Sequence, residues 1–158
     1  MIARPGTRHQ TSYHDLATFS DAEFIDYQRG RGMAAATRLR RYARANQLQV
    51  FATLDYSGAT GQRTKQDASR DPERLWAKLR QRLGRFPYAA VAEYGARDGA
   101  LHWHLLLPEI VESSQLARNW NWGEVDHQIC NSSEDLCNVV SYMSKDFFDL
   151  RAPLFPAL

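Results

Sequence analysis

The segment YAAVAEYGARDGALHWHLLL, residues 88–107, constrains this chain more than any other. Two apolar runs flank Asp98-Gly99, a dipeptide that favours the tight turn of a β-hairpin. With that turn, positions whose numbers sum to 197 face each other, so Glu93 lies opposite His104 and Gly95 opposite His102. Side chains alternate along a strand. His102, His104 and Glu93 therefore share one face, while Tyr94, Trp103 and Leu105 take the other and suit packing against helices.

The surrounding pattern supplies the remaining elements. Ser20 and Glu23 form a capping box that opens a short helix through Phe24 and Tyr27, closed by Gly30 and Gly32. A second helix spans about Ala34 to Asn46 and carries Arg38, Arg40, Arg41 and Arg44. QVFATLDY alternates Val50, Ala52, Leu54 and Tyr56 with Phe51, Thr53 and Asp55, as a strand does. Asp71-Pro72-Glu73 starts a helix whose Leu75, Leu79 and Leu83 recur every fourth residue up to Gly84. A short helix opens at Ser113 or Ser114 and carries Leu116 and Trp120; GEVDHQIC is a fourth strand. NSSED caps a last helix with Leu136, Val139, Val140, Met143 and Phe147 along one side. After residue 46 the order is β-α-β-β-α-β-α, so the fold class is α+β. Its first six elements match the split βαβ of ferredoxin-like and RRM-like sheets. The first and third strands are then central neighbours. The chain divides into an arm and helices over residues 1–46, a core over 47–150 and a tail over 151–158.

Composition adds limits. The 158 residues fit one compact domain, and 44% hydrophobic residues suffice for its core. No apolar run reaches a membrane span, residues 1–16 lack the apolar stretch of a secretory signal, and Cys130 and Cys137 have no metal or redox spacing. A cytoplasmic setting without membrane contact is expected. The net charge of +2 conceals an asymmetry: residues 1–50 carry +4, residues 51–100 carry +3 and residues 101–158 carry −5. Of the 20 basic residues 17 are arginine, whose planar fork suits phosphate. The cluster at 38–44 is either a solvated helix face or a phosphate contact.

Two imidazoles and one carboxylate on a common face, with positions left for water and substrate, suit Mn²⁺ or Mg²⁺ acting as a Lewis acid. Asp55 and His127 are substitute ligands should Glu93 point elsewhere. On the last helix Tyr142 avoids the apolar stripe, and Lys145, three residues on, is its surface neighbour. A free phenol has a pKa of about 10 and needs an activating neighbour to act as a nucleophile. Lys145 is the only lysine after residue 78.

Taken in order, FATLDYS, LHWHLLLP and VVSYMSKDF resemble the three motifs of the HUH endonucleases, specifically the rolling-circle replication initiators of phages, plasmids and single-stranded DNA viruses. The resemblance covers about residues 47–148. It implies metal-dependent, site-specific cleavage of single-stranded or hairpin origin DNA, with Tyr142 attacking the scissile phosphate to give a 5′-phosphotyrosine and a free 3′-OH. Glu93 stands where many members place the third ligand. Asp146 stands where some initiators carry a second tyrosine, which implies a single-tyrosine enzyme. No helicase segment accompanies these motifs, so a host helicase and replication machinery are expected partners. DNA affinity is expected from Arg38, Arg40, Arg41 and Arg44 and from stacking on Tyr56, whereas Trp120 and Trp122 suit a packed corner. Two other readings fit parts of the pattern: a histidine-triad nucleotide hydrolase or transferase, although Leu106 fills the third histidine position, and a non-catalytic RRM-like module that binds single strands.

Overall fold

In the computed structural model, residues 20–56, 65–94 and 100–145 are described. The order is α1 (Asp21–Ala45), β1 (Leu48–Asp55), α2 (Lys65–Leu83), β2 (Ala89–Tyr94), β3 (Leu101–Pro108), α3 (Ser113–Asn119), β4 (Val125–Ile129) and α4 (Ser133–Met143). The strands form one antiparallel sheet in the order β2-β3-β1-β4, so β1 and β3 are its central pair as expected. This is the ferredoxin-like arrangement.

Alternation along the strands creates two cores. Val50, Ala52, Leu54, Leu105 and Leu107 point to one side and pack with Ala68, Leu75, Trp76 and Leu79 of α2 and Leu116 of α3. Leu106 points to the other side, with Leu39 and Ala43 of α1 and Leu136, Val139, Val140 and Met143 of α4. Leu48 joins this second core although Val50 belongs to the first, because the β1–β3 pairing shifts between them. The extra residue lets one strand feed both layers. Phe147, expected on the stripe of α4, lies outside the described residues.

The hairpin register differs from expectation by two residues. Glu93 pairs with His102 and Val91 with His104, all pairs summing to 195. This slip sets small residues against large ones: Ala92 faces Trp103 and Ala90 faces Leu105, whereas the expected register would press Tyr94 against Trp103. A shift of two preserves every face. The Asp98-Gly99 turn itself lies outside the described residues.

Two helix boundaries also differ. Gly30 and Gly32 do not separate two helices; α1 runs unbroken for 25 residues from the Ser20 capping box to Asn46. Glycine lowers helix propensity but ends a helix only where the backbone turns left-handed, and Gly30 does not. Gln47, at φ 52°, makes that turn instead. Helix α2 begins before Asp71-Pro72, leaving Pro72 inside it. Tertiary contacts outweigh the proline: Ala68 is buried, and the buried Asp71 carboxylate accepts a hydrogen bond from the Tyr56 hydroxyl at 3.2 Å and pairs with Arg74 at 3.6 Å. Gly84, at φ 74°, closes α2, its N–H donating to Arg80 O at 3.0 Å.

A Cβ at Gly30 would meet nothing within 4 Å. Gly30→Ala is therefore expected to stabilise the fold by about 0.5–1 kcal/mol, read as a higher urea midpoint. A break in the helix at Gly30 would instead make the substitution neutral or harmful.

Candidate active site

The site lies on the sheet face covered by α4. Parity places Phe51, Thr53 and Asp55 of β1 on this face, paired with Leu106, His104 and His102 of β3. Glu93 joins them from β2. The three expected ligand residues thus share one face, as the hairpin pattern requires.

Glu93 is the hub. Its Oε2 lies 2.7 Å from His104 Nε2 and its Oε1 lies 2.5 Å from Lys145 Nζ. Burial alone would raise the Glu93 carboxyl, but hydrogen bonds from Lys145 and His104, together with their charges, hold it below its usual value. His104 is 3% exposed, and burial pushes its imidazole pKa down; Glu93 offsets this only in part. The ring is accordingly neutral at pH 7, its second nitrogen 3.1 Å from Thr53 Oγ1. Thr53 can donate or accept, so it serves either tautomer of His104. Burial works against the Lys145 charge as well, but the hydrogen bond and charge of Glu93, with Tyr142 adding to them, raise its pKa above the ordinary lysine value. Lys145 stays an ammonium.

His102 is held separately. Its Nδ1 lies 2.5 Å from Asp55 Oδ1. An Nδ1–H donated to that carboxylate leaves Nε2 with its lone pair, the arrangement in which carboxylates orient metal-binding histidines. Asp55 thus acts on His102 and does not replace Glu93. His127 is excluded as a substitute: it pairs with Ala52, whose side chain lies on the opposite face of the sheet.

Tyr142 stands near the C-terminal end of α4, 45% exposed to solvent. The helix is positioned by the buried stripe and by its cap, where Ser132 Oγ accepts from Asp135 N at 3.0 Å and the Asp135 carboxylate accepts from Ser132 N at 3.0 Å. The Tyr142 ring meets His104 edge-on at 5.0 Å between centroids, and Lys145 Nζ lies 4.1 Å from its centre. Phe51 stacks on His104 at 5.6 Å and contacts Tyr142 edge-on at 6.2 Å. Lys145 lies just past the α-helix, after the Ser144 C-cap, yet keeps the contact with Tyr142 expected from their spacing.

Among the described residues no three His, Cys, Asp or Glu are gathered tightly enough to form a preformed metal cluster. The donor set nonetheless suits a divalent ion: an ionised carboxylate, a neutral imidazole and a second imidazole with its tautomer fixed.

The expected DNA contacts divide. Arg38, Arg41 and Arg44 are exposed on α1 and Arg40 is half-buried, with Arg44 Nη2 3.9 Å from Cys137 Sγ of α4. Tyr56 is a correction: at 7% exposure it is part of the core, its ring against Trp120 at 5.2 Å, too covered for a base to stack on it. Trp120 is the expected packed corner, its indole N–H donating to Asp55 O at 2.8 Å. The roles of Thr53 and of Asp55 toward His102 escape the sequence pattern. The alternation of FATLDY puts both on the histidine face, but their partners depend on the β1–β3 register.

A family model for a replication-associated protein of the ORF2 type matches residues 49–147, more than half of the chain and all of the site described above. The chain belongs to this replication-initiator family. Its fold is similar to that of the hypothetical protein ORF119 from Sulfolobus islandicus rod-shaped virus 1, with a TM-score of 0.53 and 14% identity over 75% of this chain and 99% of that one. No curated protein matches the sequence. No described helix is long and apolar enough to cross a membrane.

Because Glu93 raises the His104 pKa against burial, removing its charge should lower that pKa further. In metal-free protein, NMR titration of the His104 ring is expected to give a value below the free-histidine value of about 6.5. Glu93→Gln is expected to move it down again; an upward move would contradict this pairing.

Proposed function

We propose that the protein is a metal-dependent HUH endonuclease and strand transferase that nicks single-stranded origin DNA to initiate rolling-circle replication. The observation that carries this reading is the placing of an exposed tyrosine, Tyr142, edge-on to His104 and beneath the Lys145 ammonium, beside the carboxylate shared by both. Membership of a replication-initiator family supports it.

In this mechanism Tyr142 Oη attacks the scissile phosphorus. A tyrosyl O–P bond forms and the P–O3′ bond breaks, leaving a 5′-phosphotyrosine and a 3′-OH. The exposed phenol loses its proton to solvent, and the departing 3′ oxygen takes one from solvent. Phosphoryl transfer depends mainly on positioning and on stabilising charge. Lys145, kept protonated by Glu93, stabilises negative charge developing on the phenolic and phosphoryl oxygens. His102, His104 and Glu93 hold a divalent ion, Mn²⁺ or Mg²⁺, which when bound supplies Lewis-acid polarisation of the phosphate. Asp55 and Thr53 keep the two imidazoles oriented. Reversal of the linkage by a 3′-OH closes a DNA circle. A host helicase supplies strand separation, and Arg38, Arg40, Arg41 and Arg44 contact phosphates of the origin, so binding weakens with salt.

Incubation with single-stranded origin DNA of its own replicon and Mn²⁺ is expected to yield a covalent adduct on a denaturing gel, with the DNA mapped to Tyr142 by mass spectrometry. Tyr142→Phe should reduce adduct by about 10³-fold or more, and EDTA should abolish it. An adduct of wild-type yield in Tyr142→Phe would overturn the assignment, and salt-sensitive binding without cleavage under any divalent metal would favour a binding module.

A further inference from the structure

Beside Tyr142 a groove of about 220 Å³ opens between the sheet and α4, lined by Phe51, Gln128, Asn138, Val139 and Tyr142. Its construction follows from the fold. Gln128 of β4 pairs with Phe51 of β1, so both project from the histidine face. Asn138 and Tyr142 are four residues apart on α4 and lie along one side of it. Val139 closes the groove from the second core.

Three features define what such a groove takes. Among the described residues no charged side chain lines it, which disfavours a phosphate or a carboxylate as its occupant. Gln128 and Asn138 are exposed, and among the described residues neither side-chain amide has a hydrogen-bond partner. Each amide offers both donors and an acceptor, the complement of a heteroaromatic edge that carries both. The remaining lining is apolar and includes two rings, and its volume is below the roughly 300–1,000 Å³ of pockets for drug-sized ligands. A single planar base fits that description. A phosphate at the Tyr142 hydroxyl brings an adjoining base within one nucleotide of the groove.

We propose that this groove is a nucleobase subsite, in which Gln128 and Asn138 read the hydrogen-bonding edge of a base flanking the scissile phosphate while Phe51 and Tyr142 line its apolar surface. The proposal rests on Tyr142 as the nucleophile and makes Gln128 and Asn138 specificity-determining residues. Because one stands on β4 and the other on α4, each contacts the base from a different side.

The test uses the full-length chain and a pool of random single-stranded oligonucleotides, enriched by equilibrium binding and sequenced. Covalent capture with Mn²⁺ is run in parallel. Wild-type protein is expected to enrich a motif. Gln128→Ala and Asn138→Ala should each reduce base preference about tenfold at one shared position, leaving the other positions intact. Gln128→Glu and Asn138→Asp, which replace donors by acceptors, should change the preferred base there. Both side chains are exposed, and circular dichroism checks that each variant folds. Enrichment of an unchanged motif by all four variants would overturn the subsite, as would a loss spread evenly over all positions or no motif for wild type. Loss at one position without covalent capture in any sample would retain the subsite and reject the nicking reaction, so the two failures are distinct.

Discussion

The Glu93 carboxylate, shared between His104 and Lys145, is the interaction on which the arrangement depends. It originates on β2, an edge strand, and reaches both the central strand β3 and the residue that follows the C-cap of α4. Its side chain is 12% exposed, so its charge is tolerable only while both partners are present. The same two contacts set the electrostatics of the site. They keep Glu93 ionised and Lys145 protonated, and they oppose the effect of burial on His104. Loss of this one carboxylate would leave a buried imidazole and an ammonium without their common anion.

The double-layered sheet makes that interaction possible. Helices α2 and α3 cover one face with an apolar core, and α1 and α4 cover the other only in part. The shift after Leu48 lets the start of β1 pack beneath α1 and α4, while its later residues, Thr53 and Asp55, are free to orient histidines. Helix α4 then fixes Tyr142 through Leu136, Val139, Val140 and Met143, leaving its ring against His104. Stability and site share elements but use opposite sides of them.

How much of this is legible in the sequence depends on which symmetry carries the signal. Face assignment survives because strand alternation has a period of two: the hairpin slips by two residues and still brings Glu93, His102 and His104 together. Pairing does not survive, because it depends on which bulky residues meet across strands. The placing of Ala92 opposite Trp103 is a packing outcome that a turn motif does not encode. Helix ends fail for the same kind of reason. Gly30 and Pro72 are local signals, and the α1 backbone and the burial of Asp71 prevail over them. Tyr56 follows the strand pattern correctly as a core residue, and that same burial removes the DNA-stacking role its ring suggests. Gln128 and Asn138 give no signal at all, since only the fold brings them to one groove.

The central claim is that His102, His104 and Glu93 form one metal-binding face beside Tyr142. Its most direct measurement is an anomalous difference map, collected at the manganese edge, from crystals grown with Mn²⁺. The account predicts one strong peak bounded by the two imidazoles and the Glu93 carboxylate, with Asp55 still bonded to His102. A map without a peak on that face, from crystals in which Mn²⁺ is bound elsewhere on the protein, would contradict it.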